Sequence, residues 1–116
     1  MPKYGEVLSK LIEKTEREKV PWKPSYEDDT FIVALDGGYT FQIGKDLFGA
    51  FKFLMKDKSD GKIIEIVAND RGPNDDDYDE DDDYYSDLRR LYEGARVTAL
   101  DVNKKLDDVA ALLDRF

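Results

Sequence analysis

The chain has 116 residues, 27 acidic and 18 basic, for a formal net charge of −9, and it contains no cysteine and no histidine. That composition excludes a disulfide framework, the usual Cys and His zinc sites, and nucleophile–histidine catalytic pairs. Its 41% hydrophobic content suffices for one core, so residues 1–116 read as a single domain.

The charge is concentrated in one place. Residues Asp75 to Asp87 read D-D-D-Y-D-E-D-D-D-Y-Y-S-D, with nine acidic residues and no basic one. Without them the chain holds 18 acidic and 18 basic residues. The sequence therefore describes a neutral body carrying one anionic segment. Negative charge argues against direct binding to nucleic acid or to an anionic membrane, because both repel it. No stretch approaches the roughly 18 apolar residues of a bilayer span. Met1 to Glu6 lack the apolar run of a secretory signal, so a cytoplasmic location is expected.

The first element is a helix that ends by about Lys19. Val7, Leu8, Leu11 and Ile12 share one face, and Glu6–Lys10 and Glu13–Arg17 sit four apart on the other. Pro21 and Pro24 stop it, and Trp22 between them is expected to cap the edge of the core. A meander of four strands follows. Thr30 to Leu35 places Phe31, Val33 and Leu35 on one face, and Asp36-Gly37-Gly38 makes a hairpin turn. Tyr39, Phe41 and Ile43 alternate with polar residues, and Gly44-Lys45-Asp46 reads as the second turn. Phe51, Phe53 and Met55 mark the third strand, and Ser59-Asp60-Gly61 the third turn. Ile64, Ile66 and Ala68 mark the fourth strand. Such short loops imply antiparallel neighbours in sequential order.

Residues from Asn69 to Tyr85 show no apolar periodicity, and repulsion among the carboxylates predicts a mobile loop at about 70–85. Ser86 is the expected N-cap of the next helix, with Leu88, Leu91, Tyr92, Ala95 and Ala99 on its apolar face. Gly94 weakens that helix by about 1 kcal/mol relative to Ala. A break near Ala99–Leu100 leads to a last helix starting after Asp101. Its apolar face is Val102, Leu106, Val109, Ala110, Leu113 and Phe116. The fold class is thus α+β, a four-stranded antiparallel meander covered by an N-terminal helix and two C-terminal helices.

The acidic tract admits three readings: a solvated loop, a docking surface for a cationic partner, and a site for a hard cation such as Ca²⁺ or Mg²⁺. An EF-hand frame starting at Asp77 places Asp82 where glycine is needed and Leu88 where glutamate is needed. A frame starting at Asp75 places Glu80 and Ser86 there. Neither frame fits, and no metal or other cofactor is assigned. Arg89 and Arg90 read as charge compensation next to the tract. The pairs Asp28–Asp29 and Asp107–Asp108 read as solvated surface, and Ser9, Ser25, Ser59 and Ser86 lack a nucleophile's setting.

Leu11 to Thr15, Trp22 and the L-R-R-L-Y-E-G-A-R run from Leu88 to Arg96 carry a resemblance. The chain resembles a loosely defined set of short prokaryotic proteins, often from phage or mobile elements. They combine an early helix, a tryptophan, a small meander and a closing helix. The resemblance implies that layout and no activity, and the acidic insertion departs from it.

The expectation is a non-catalytic binding or regulatory protein. It would engage a basic protein surface, such as that of a nucleic-acid-binding protein, in the manner of a nucleic-acid mimic. The contact residues are Asp75, Asp76, Asp77, Tyr78, Asp79, Glu80, Asp81, Asp82, Asp83, Tyr84 and Tyr85, the tyrosines adding stackable surface. The alternatives are a divalent-metal-binding domain or metal-dependent hydrolase using the same carboxylates, and a structural or oligomeric module with a passive acidic loop.

Overall fold

The computed structural model describes residues 4–17, 19–59 and 61–116. Helix α1 (Tyr4–Glu16) buries Leu8, Leu11 and Ile12, as the spacing predicts. The sheet has five antiparallel strands in sequential order: β1 (Lys23–Pro24), β2 (Thr30–Leu35), β3 (Tyr39–Lys45), β4 (Phe51–Asp57) and β5 (Gly61–Ala68). The four-strand expectation missed β1. There Lys23 pairs with Ile32 and Pro24 with Phe31. Pro24 can serve there because the strand lies at the sheet edge, where one side needs no N–H donor.

The second turn also shifts. Strand β3 runs through Gly44 and Lys45, and the chain reverses at Asp46–Gly49 instead. The Asp46 carboxylate accepts from Phe48 N (2.8 Å) and Ala50 N (2.9 Å), and Gly49 takes φ +87° to close the turn. Gly44 is required within the strand, because a Cβ there would lie 2.7 Å from Thr30 Oγ1.

Helix α2 (Tyr85–Ala99) lies against β1 to β4 and buries Leu88, Leu91, Tyr92 and Ala95. Its Tyr92 ring meets Phe31 and Phe51 at centroid distances of 5.6 and 5.3 Å. Inward-facing Phe41, Ile43, Phe53, Ile64, Ile66 and Ala68 complete the core from the sheet. Helix α1 packs against α2 rather than directly across the strands. Ser86 is not the N-cap: a short 3₁₀ turn, Glu80–Tyr84, feeds straight into α2, whose N-cap is Tyr84.

Helix α3 (Val102–Leu113) does not cover the sheet. It packs mainly on α2, and every residue from Lys104 to Phe116 is exposed. The break before it falls at Leu100 and Asp101, with Asp101 at φ +52°.

The α1–α2 contact depends on a matched pair of residues. A Cβ at Gly94 would lie 2.8 Å from Thr15 Cγ2, so glycine lets the helices approach. Thr15 is 1% exposed, and its hydroxyl accepts the buried Trp22 Nε1–H at 3.0 Å. Trp22 thus closes the core edge and ties the chain after α1 back to the helix. Thr15→Val keeps the shape but orphans the indole N–H, which costs about 1–3 kcal/mol in urea unfolding. Gly94→Ala, which gains about 1 kcal/mol in an exposed helix, lowers stability here because the methyl group meets Thr15.

Candidate functional site: an acidic surface on a hydrogen-bonded frame

The tract begins in turns and ends in helix. Asp75 N–H donates to Gly72 O at 3.0 Å, and the Asp75 carboxylate accepts Asp77 N–H at 2.9 Å. Tyr78 N–H donates to Asp75 O at 3.1 Å, and Arg71 Nη1 donates to Asp77 O at 3.0 Å. Aspartate suits these positions because its short carboxylate closes a turn on its own backbone. Asp79 then caps the 3₁₀ turn, accepting from Asp81 N at 3.0 Å.

Asp82 is the exception among the carboxylates. It is 4% exposed. One oxygen accepts Asn69 N–H at 2.7 Å, and the other accepts Asp79 N–H at 3.0 Å. The residue therefore joins the end of β5 to the start of the 3₁₀ turn. The Asn69 backbone bond, aided by the Asp79 bond and the Arg71 charge, holds its carboxyl below the ordinary value despite burial. Asp81 is half-buried, and its carboxyl is pushed up by burial and by neighbouring Asp79, Asp82 and Glu80.

The remaining members divide by exposure. Asp75, Asp76, Asp77, Asp79, Glu80 and Asp83 are exposed. Among the described residues, no ion pair joins any carboxylate from Asp75 to Asp83 to a lysine or arginine. Arg90, expected to compensate the tract, instead pairs with Glu16 of α1 at 2.7 Å. Its attraction therefore goes to the helix interface. Tyr78 is half-buried and donates its hydroxyl to Asp83. That bond, with burial and the nearby negative charges, pushes the phenol up to about 12. Tyr84 and Tyr85 pack against the core, Tyr85 meeting the Phe51 ring at 5.3 Å. Both remain partly exposed. No group of three or more carboxylates converges as a metal site among the described residues.

A second surface feature was not anticipated from the sequence. Leu47 and Phe48 are 98% and 95% exposed at the Asp46–Gly49 turn. The D-L-F-G run between two strands was the available signal. Nearby Lys45 N–H bonds Asp29 O, so the loop carrying exposed Tyr26 adjoins this end of the sheet. A groove of about 400 Å³ on the open sheet face lies there, lined by Ile32 and Leu54 with Lys45, Lys52 and Lys56 opposing Glu27, Asp28 and Asp46. Its charges cancel.

No family model, curated protein or solved structure matches this chain. No helix among the described residues is long and apolar enough to cross a membrane.

The sign of the Asp82 effect is fixed by its lowered carboxyl. Stabilisation is complete above its ordinary pKa, about 3.9, and is lost as pH falls through the lower folded value. Asn69 amide exchange should accelerate over that acid range, and Asp82→Ala should accelerate it at neutral pH. Tyr78 behaves oppositely, contributing below pH about 10 and losing its bond as pH rises through about 12. An ultraviolet phenolate titration should show Tyr78 and Tyr92 ionising late, Tyr92 because burial pushes its phenol up, and Asp83→Asn should return only Tyr78 toward the ordinary value.

Proposed function

We propose that this protein acts by binding rather than by catalysis, with the Asp75–Asp83 surface docking onto a cationic protein surface. The supporting observation is a set of exposed carboxylates that form no ion pair with a lysine or arginine among the described residues, carried on a frame anchored by Asp82. Such a set projects its field outward, where it steers association with a basic partner. Fixing the frame in advance reduces the ordering cost on docking. A run of carboxylates along turns and a 3₁₀ segment imitates a run of phosphates in charge, so the basic surface of a nucleic-acid-binding protein is the partner class proposed. Tyr78 lies within this surface, while Tyr84 and Tyr85 brace it from below.

Deleting the segment would remove Asp82 and the entry to α2 together. The informative variant is therefore Asp75→Asn, Asp76→Asn, Asp77→Asn and Glu80→Gln, which leaves Asp79 and Asp82 in place. Binding of a fluorescent lysine- and arginine-rich peptide, read by anisotropy, should weaken about tenfold or more at low salt. The difference should shrink as added salt screens the charges. Equal affinity of variant and parent at low salt would reject the docking role.

A further inference from the structure

We infer that the Asp46–Gly49 turn is the apolar anchor of the acidic docking surface, an assignment that rests on the docking role proposed above. The partner it fits is a basic protein segment that carries an apolar stripe, as a cationic amphipathic helix does.

Leu47 and Phe48 do not pack against the body of the protein. They are 98% and 95% exposed, whereas the turn that carries them is closed by the Asp46 carboxylate and by Gly49. Polar residues at 47 and 48 would close the same turn. Tyr26, on the loop between β1 and β2, is 96% exposed. Large apolar side chains gathered in solvent mark a contact surface.

Strand register places this tip beside the acidic tract. Lys45 pairs with Phe51, and Phe51 pairs with Ala68, so the turn and the end of β5 share one end of the sheet. Asn69 follows Ala68 and donates its N–H to Asp82. Thr30 pairs with Gly44, and Lys45 N–H donates to Asp29 O at 3.1 Å, which brings the loop carrying Tyr26 to the same end. Three residues of chain from Phe48 to Phe51 reach about 10 Å at most, and a paired Phe51 and Ala68 stand about 5 Å apart. The Phe48 backbone and the Asp82 carboxylate therefore lie within about 20 Å of each other. A standard interface covers about 800 Å² a side, roughly 30 Å across, so one partner reaches both.

Charge selects that partner. Residues 25–29, 45–50 and 69–83, which meet at this end, hold thirteen acidic residues against two basic ones, Lys45 and Arg71. Lys23 and Lys52 lie next along their strands, and Lys52 pairs with Glu65 at 3.8 Å. An apolar tip set among carboxylates is repelled by an anionic bilayer and by the same acidic end of a second copy. It complements a basic segment with apolar side chains between its charges. The carboxylates then speed encounter, and burial of the tip slows release. The prebuilt turn limits the ordering cost.

Fluorescence anisotropy with two peptides of equal positive charge tests this on the intact chain. One carries leucines at i, i+3, i+4 and i+7 among lysines and arginines, and the other has glutamine in place of each leucine. The protein should bind the leucine peptide about tenfold or more tightly, and the preference should persist in salt that weakens both. Leu47→Ser with Phe48→Ser should abolish the preference. Its affinity for the glutamine peptide and its near-ultraviolet circular dichroism should match the parent's, because both side chains lie outside the core. No preference in the parent, or an equal preference in this variant, would overturn the inference. So would loss of the preference in Leu106→Ser with Leu113→Ser, which removes apolar side chains exposed on α3 instead. Retention of the parent but not of Leu47→Ser with Phe48→Ser on phosphatidylcholine vesicles would assign the tip to a lipid surface and overturn it too. The four-substitution charge variant should weaken both peptides. If it binds both as the parent does, the docking role itself fails, an outcome distinct from loss of the leucine preference.

Discussion

One buried carboxylate holds the acidic region in register with the sheet. Asp82 receives two backbone N–H groups, one from Asn69 beyond β5 and one from Asp79 at the cap of the 3₁₀ turn. An ionised carboxylate is a strong acceptor for such donors, and its charge is spread into them. Of the surrounding aspartates, Asp81 is half-buried and Asp75, Asp76, Asp77, Asp79 and Asp83 are exposed. A tract of one chemical type is thereby divided into an anchor and a display. The anchor also fixes where α2 begins, and α2 supplies Leu88, Leu91, Tyr92 and Ala95 to the core.

The fold's other dependency is the close approach of α1 and α2. Threonine, glycine and tryptophan share the same few ångströms there, and each has a reason to be what it is. Thr15 offers an acceptor in a buried place, Gly94 gives it room, and Trp22 uses it. The propensity cost of a mid-helix glycine is offset by the packing it permits. This polar contact lies within an otherwise apolar core cluster and fixes how the two helices meet.

Much of this was legible in the residues. Alternation in β2 to β5 and the 3.6 period of α1 and α2 are strong signals because each reflects a buried face. The double-glycine hairpin was equally plain, as Gly37 and Gly38 both take positive φ. The two-residue β1 escaped because so short a strand has no period and its proline argues against pairing. The second turn was misplaced because Gly44 reads as a turn residue, whereas it serves a close approach to Thr30. The apolar stripe of α3 read as core, since spacing alone does not say which partner covers a face. Within the acidic tract, nothing in composition separates Asp82 from its neighbours. Its role comes from tertiary contact with Asn69, as does the inward packing of Tyr84 and Tyr85.

The joint between the last two helices has a geometric consequence. Asp101 sits in the left-handed region, a conformation that costs an L-residue about 1–2 kcal/mol and that aspartate tolerates better than most. Rotating Leu100 and Asp101 into right-handed geometry would fuse the two helices into one rod from Tyr85 to Leu113, about 43 Å long at 1.5 Å per residue. The bend is therefore a small energetic choice with a large lever arm, and two backbone torsion pairs decide which way the end of the molecule points.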